Sequence, residues 1–337
     1  MKIVIVGAGG VGGFFATMLA RSGEDVYLVA RGKHLETISE NGICVELNGE
    51  SICYKPKIVS NNPADFKIEA DVVLFCTKGY DLESAAKLVS PVVSKGTLLV
   101  PFGNGVGNAN VLKQYFSSNL VANGAIYIVS HIKEPGIITV KGKGAFVVIG
   151  EDREVSEPVR KLGEVLKDSG IKTKVSSSIT TDVWKKYLLI SAMATLTSCF
   201  NEPMGAIVEK HSEKLNAILH EILAVGQAEG AELDFEDIEN VLNQVKKVPY
   251  DSPTSMWLDF KAGRQTELEQ LTGFIVKKAK KHNIDTPVIS NCYEKLKKQR
   301  KLKYERIYTQ KTFIKHRHRN QENSKKIHIS KPCIGKA

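Results

Sequence analysis

The first thirteen residues, Met1-Lys-Ile-Val-Ile-Val-Gly-Ala-Gly-Gly-Val-Gly-Gly13, constrain this chain more than any other stretch. Ile3 to Val6 are β-branched throughout and read as a buried strand that runs straight into Gly7, Ala8, Gly9, Gly10, Val11 and Gly12, the pattern G-x-G-x-x-G. Gly7 suits the tight turn, Gly9 the close approach of a pyrophosphate, and Gly12 the packing of the next helix on the strand. The helical pattern that follows (Phe14, Met18, Leu19) turns the free N–H groups of its first turn toward that loop. Strand, glycine turn and helix in this order point to a dinucleotide-binding unit. A signal peptide or membrane span is the competing reading of the uncharged run Ile3 to Ala20. Five glycines within it, and no convincing small-residue cleavage site, argue against both.

The next strand, Asp25 to Arg31, carries the second constraint. A fold that prefers NAD places an acid at the carboxyl end of this strand, for the ribose 2′-hydroxyl. Here Ala30 is followed by Arg31, whose guanidinium suits a 2′-phosphate, with Lys33 as further help. NADP(H) is therefore the expected cofactor.

At 337 residues and 42% hydrophobic content the chain is long enough for two domains with sizeable cores. Its net charge of +10 is unevenly placed: from Lys297 onward there are 14 Lys/Arg against Glu305 and Glu322, which leaves 33 basic and 35 acidic residues in positions 1–296. The basic balance thus belongs to a tail and not to a nucleic-acid-binding face, so no nucleic-acid partner is expected. Cys44, Cys53, Cys76, Cys199, Cys292 and Cys333 show neither C-x-x-C nor metal-ligand spacing with histidine. No metal is expected, and scattered cysteines with apolar neighbours suggest a reducing, cytoplasmic setting with no membrane partner.

Along the chain, strands alternate with helices up to about residue 176. His34 to Asn41 suits a helix, and Ile43 to Pro56 a hairpin turning at Asn48-Gly49. Asp71 to Thr77 and Thr97 to Phe102 read as buried strands, and Leu82 to Val93 and Val106 to Phe116 as helices. Leu120 to Val129 adds a strand, and Gly136 to Ile149 reads as antiparallel strands on the same sheet. Val155 to Leu166 and Lys172 to Val175 close an α/β domain with a doubly wound parallel sheet, residues 1–176. Ser176-Ser177-Ser178 marks the boundary. Beyond it helical periodicity takes over, in a domain of residues 177–301 with helices Asp182 to Leu196 (capped by Thr181 or Asp182), Glu213 to Glu229, Phe235 to Val245, Glu267 to His282 and Pro287 to Lys298. Residues 302–337 read as a basic, disordered tail.

Polar residues stand where such a sheet presents its ligands, just beyond the carboxyl ends of strands: Thr77-Lys78 and Gly103-Asn104-Gly105. Two lysines, Lys185 and Lys186, sit near the start of an otherwise apolar helix. A lysine buried at a helix amino end has its pKa lowered, which fits it for proton transfer near neutrality. Ser255 to Glu267 forms a third polar segment, in which Glu267 could hold a buried lysine charged and oriented.

Together these segments resemble the ketopantoate reductase family from residue 1 to about residue 300. Gly7 to Gly12, Arg31, Lys78, Asn104-Gly-x-Gly, Trp184-x-Lys186, Ser255-Met256 and Thr266-Glu267 occur in that family's order, including the twelve-residue step from Ser255 to Glu267. The resemblance implies a Rossmann-like domain followed by a helical domain like the carboxyl-terminal domain of 6-phosphogluconate dehydrogenase. It also implies NADPH-dependent reduction of 2-dehydropantoate to (R)-pantoate, a step of pantothenate and coenzyme A synthesis. By the match Lys186, not Lys185, is the general acid. Lys186, Glu267 and Asn104 form the catalytic set; Asn104, Lys186 and Ser255 bind substrate; and Gly7 to Gly12, Arg31, Lys78, Asn104 and Glu267 bind cofactor. The chain departs from the family at Ile190 and Ala194, where its best-studied members carry substrate-contacting asparagines. That leaves two rivals: a reductase of another, bulkier 2-keto acid, and an NADP(H)-binding protein without catalysis. Helical domains of this kind often pair, so a homodimer is the expected assembly.

Overall fold

A computed structural model describes residues 1–300; the basic tail inferred for 302–337 lies outside them. Five strands make a wholly parallel sheet in the order β5-β2-β1-β6-β7: β1 Lys2–Val6, β2 Asp25–Val29, β5 Ile58–Ser60, β6 Val72–Phe75 and β7 Leu98–Pro101. β1, β6 and β7 are buried almost throughout, as a parallel sheet covered on both faces requires. Helices α3 Leu82–Val89 and α4 Asn108–Tyr115 pack on one face through Val4, Tyr27, Val73, Ala86 and Leu112. On the other face lies α1 Gly10–Arg21, whose Phe14, Phe15 and Leu19 are fully enclosed because a second sheet covers them. Helix α2, Gly32–Asn41, follows β2.

The second sheet corrects one expectation. Residues 136–149 do not turn back on the first sheet; β9 is a single strand, Ile137–Gly150, antiparallel to β8 Asn123–Glu134 and parallel to β3 Ile43–Leu47 and β10 Lys172–Ser176. Gly142 (φ +83°) and Gly144 (φ +95°) sit where the β8/β9 register shifts, so these glycines make a bulge and not a hairpin turn. The expected turn at Asn48-Gly49 does form, joining β3 to β4, Glu50–Tyr54, with both turn residues at positive φ. That hairpin sets Cys44 directly opposite Cys53, and the two are joined in a disulfide. The sequence reading of six scattered thiols is corrected here: a spacing of nine residues looks unrelated until the hairpin folds it into one cross-strand pair. Helix α5, Glu157–Asp168, packs its Val159, Leu162 and Leu166 into the same core.

After β10 the structure is helical. Helix α6, Ile179–Phe200, begins three residues earlier than its sequence pattern suggests, with Ser178 at its cap position, so Thr181 and Asp182 lie within its first turn. It is buried on nearly every side because the other helices surround it, which is what an apolar helix without a polar face needs. Around it stand α7 Met204–Lys210, α8 Ser212–Ala228, α9 Phe235–Val245, α10 Ser255–Ala262, α11 Phe274–His282 and α12, residues 287–300. The short helices α7 and α10 carry no extended periodicity and are not evident from sequence. Glu221 of α8 accepts hydrogen bonds from the backbone N–H groups of Val288 and Ile289, fixing the amino end of α12; burial raises its pKa.

Candidate active site

The glycine turn is shaped by contacts that only glycine permits. Gly7 has φ +99°, and a Cβ on Gly12 would lie 1.8 Å from the Gly7 carbonyl oxygen. Gly9 differs: nothing lies within 4 Å of where its Cβ would be, so that face of the loop is open to a ligand. Ala8 turns its carbonyl to His34 Nε2 (2.7 Å), whose Nδ1 accepts from the Gly136 N–H (2.9 Å). Val11 packs partly against the core. A cavity of about 320 Å³ runs from Gly7, Ala8 and Gly9 past Thr77 and Lys78 to Arg31, which is exposed at the cap position of α2. The Thr77 hydroxyl is buried and finds no partner among the described residues. An open glycine face, a helix amino end, an unsatisfied hydroxyl and a guanidinium at the far end together fit the phosphates of a dinucleotide. Cys76 also lines this cavity, where burial raises the pKa of its thiol and so disfavours the thiolate.

The facing wall comes from the helical domain. Lys186, about two turns into α6, is 9% exposed, and its Nζ donates to Asn104 Oδ1 at 3.1 Å. Asn104 follows β7 in the first domain, so this bond spans the cleft. Burial lowers the lysine pKa from 10.5 to about 8, against the opposing pull of Glu267. Val183 and Ile190, each about one turn from the lysine, line the tightly packed gap around it, so their apolar side chains help keep Lys186 dry. The Tyr127 ring lies 5.9 Å from Nζ. Lys185 points elsewhere and pairs with Asp237 of α9 at 2.8 Å.

Glu267, 1% exposed, stands just before the helical stretch that leads into α11, and its Oε2 takes a 2.7 Å bond from Lys78 of the other domain. Burial works against the Lys78 charge, yet Glu267 and Asp259 outweigh it and raise its pKa. Glu267 therefore acts on Lys186 through space, while its direct partner is Lys78. The structure thus gathers Asn104, Lys186, Lys78 and Glu267 at one junction, with the glycine turn and Arg31 along the adjoining cavity. Ser255 is exposed at the start of α10, one turn before Asp259, and its hydroxyl has no hydrogen-bond partner among the described residues.

Sequence reasoning missed Asp259, which pairs with Lys78 (3.5 Å) and Arg264 (2.8 Å). It also missed what holds α6 in place. Glu269–Gly273 is a widened helical turn, a π-bulge, and α6 hydroxyls bind the groups this turn presents. Tyr187 donates to the Gln270 and Leu271 carbonyls (2.9 and 2.6 Å), Ser191 to Leu271 (2.7 Å), and Thr195 meets Thr272 (2.7 Å). Three hydroxyls at positions i, i+4 and i+8 of an apolar helix were the available signal.

A parallel sheet whose glycine turn opens toward a buried lysine from a helical domain is the architecture of a two-domain oxidoreductase. The chain belongs to the ketopantoate reductase PanE/ApbA family: residues 3–153 match the family's first domain and residues 178–300 its carboxyl-terminal domain. It is 31% identical over 301 residues to YkpB of Bacillus subtilis (strain 168), named an uncharacterized oxidoreductase, with 88% of this chain and 98% of that protein covered. To the 2-dehydropantoate 2-reductase of Lactococcus lactis subsp. lactis (strain IL1403) it is 27% identical, over 85% of this chain and 94% of that one. The crystal structure of 2-dehydropantoate 2-reductase from Methylococcus capsulatus superposes with a TM-score of 0.83 at 26% identity, covering 90% of this chain and 98% of that one.

Proposed function

We propose that the protein reduces a 2-keto acid with NADPH, and that the acid is 2-dehydropantoate, giving (R)-pantoate for pantothenate and coenzyme A synthesis in the cytoplasm. The observation that carries this reading is the buried Lys186 ammonium held by Asn104 across the cleft, beside the Lys78–Glu267 pair. The open face of Gly9 would hold the phosphates of NADPH and Arg31 its 2′-phosphate, and the bound cofactor would supply the hydride that the keto carbon accepts. Negative charge then grows on the keto oxygen, and Lys186 both offsets that charge and delivers the proton. Asn104 orients the lysine. Glu267, paired with Lys78, accepts a hydrogen bond from a hydroxyl of the substrate or cofactor. Ser255, at the amino end of α10, binds the substrate carboxylate together with that helix's free N–H groups.

Ile190 and Ala194 favour a second reading within the same chemistry, a bulkier apolar 2-keto acid, since both remove polar atoms from the face of α6 that carries Lys186. Steady-state oxidation of NADPH and of NADH, with 2-dehydropantoate and with branched and aromatic 2-keto acids, separates the two. The leading reading expects the highest kcat/KM for 2-dehydropantoate with NADPH. Negligible turnover of that acid beside rapid turnover of another defeats it.

A further inference from the structure

Outside the cleft, the helical domain holds a pair of thiols that the reductase chemistry does not use. Cys199 is the penultimate residue of α6, and Cys292 lies in α12; each is 5% exposed, and both are reduced. They line one cavity of about 380 Å³ together with Phe200, Asn291, Lys214 and Lys295. Two cations therefore overlook two thiols, and Lys295 is anchored over the Phe200 ring, 5.4 Å from its centre. The neighbouring Cys292 thiol, with Lys295 and Lys214, lowers the Cys199 pKa against burial, and the Cys292 pKa is correspondingly raised. The carboxyl end of α6 works against a thiolate, and the lysines oppose it. Cys76, in contrast, lies at the cavity beside the glycine turn, where burial raises the pKa of its thiol.

We infer that Cys199 and Cys292 form a peroxide-reactive dithiol, a modification site at which Cys199 is the attacking sulfur and Cys292 the resolving one. The Cys199 thiolate attacks hydrogen peroxide: an S–O bond forms, the O–O bond breaks, and hydroxide leaves, taking up the proton that the thiol had released. Cys292 then condenses on the resulting sulfenic acid: an S–S bond forms, the S–O bond breaks, and water departs with the Cys292 proton. The sum is two thiols and one peroxide going to one disulfide and two waters. The bond fastens the end of α6 to α12, thirteen residues and about 20 Å along the helix from Lys186. The cleft is not part of the reaction, so this inference stands apart from the identity of the keto acid.

The test treats the full chain with stoichiometric hydrogen peroxide at neutral pH, blocks remaining thiols and maps the peptides by mass spectrometry. The expected product is a peptide linked through Cys199 and Cys292, short of two hydrogens, with Cys76 still free for alkylation after denaturation. In Cys292→Ser the link is absent, and Cys199 carries a dimedone-trapped sulfenic acid. Lys295→Met, a change at the exposed rim that spares both thiols, slows Cys199 oxidation about threefold or more. Unmodified Cys199 and Cys292 in the treated wild type, or links from either to another cysteine, overturn the inference. So does a Lys295→Met variant that oxidises at the wild-type rate.

Discussion

A buried lysine costs free energy unless its charge is put to use, and Lys186 stands at the cleft where the proposed reduction would use it. Its ammonium form persists only below a pKa brought down from 10.5 to about 8 by burial. In the proposed reduction that form is the acid. The sign is therefore fixed: kcat/KM for keto-acid reduction is flat below pH about 8 and falls toward tenfold per unit above it, as a pH–rate profile reads directly. An ordinary exposed lysine would instead leave the profile flat to beyond pH 10. At the other end of the site, Gly12 leaves room for nothing larger. With a Cβ only 1.8 Å from the Gly7 oxygen, Gly12→Ala forces the turn open. We expect NADPH affinity, followed by quenching or by calorimetry, to drop at least about a hundredfold, through lost approach of the phosphates. Unchanged affinity would place the dinucleotide elsewhere. These residue-scale features were legible because the glycine pattern and the lysine on an apolar helix each break a local rule. Asp259 broke none: an acid on a short helix looks like surface until the fold brings Lys78 to it.

At the scale of elements, α6 and the π-bulge hold one another in place. The bulge presents backbone carbonyls where a regular helix would close its own bonds, and Tyr187 and Ser191 satisfy them. Tyr187→Phe keeps the ring and its packing on Trp184 but takes the hydroxyl donor from the Gln270 carbonyl and leaves Ser191 alone on the Leu271 carbonyl. The expected loss is about 1–3 kcal/mol of unfolding free energy in a denaturant titration, with KM for the keto acid rising because Lys186 shares the helix. A loss under about 0.5 kcal/mol would show that the hydroxyl is not what secures the turn. Alternating strands and helices made most of the first domain readable from the sequence. The exception was β9, where Gly142 and Gly144 carry the signature of a turn but act as a bulge, because the long β8 partner runs on past them. Nor could periodicity alone show the second sheet, since period-two patterns say that a strand is half-buried and not which sheet it joins. The Cys44–Cys53 pairing had the same origin: it depends on register, which the hairpin sets.

For the molecule as a whole, neither domain holds a complete site. The first brings the glycine turn, Arg31, Lys78 and Asn104; the second brings Lys186 and Glu267; and the two bonds Lys78–Glu267 and Lys186–Asn104 close the junction. The order of motifs along the chain made this division visible, while the direct partner of Glu267 was not, because two lysines lie within its reach and only the packing selects Lys78. On the proposed reading, such an arrangement separates holding the dinucleotide from the proton transfer at Lys186. Lys186→Ala is the measurement that tests this division most directly, with NADPH binding and keto-acid turnover read on the same preparation. The account predicts an NADPH dissociation constant within about threefold of wild type and a kcat lower by about a hundredfold or more. Turnover that survives the substitution, or NADPH affinity that collapses together with it, would contradict a lysine acid serving a separately held cofactor.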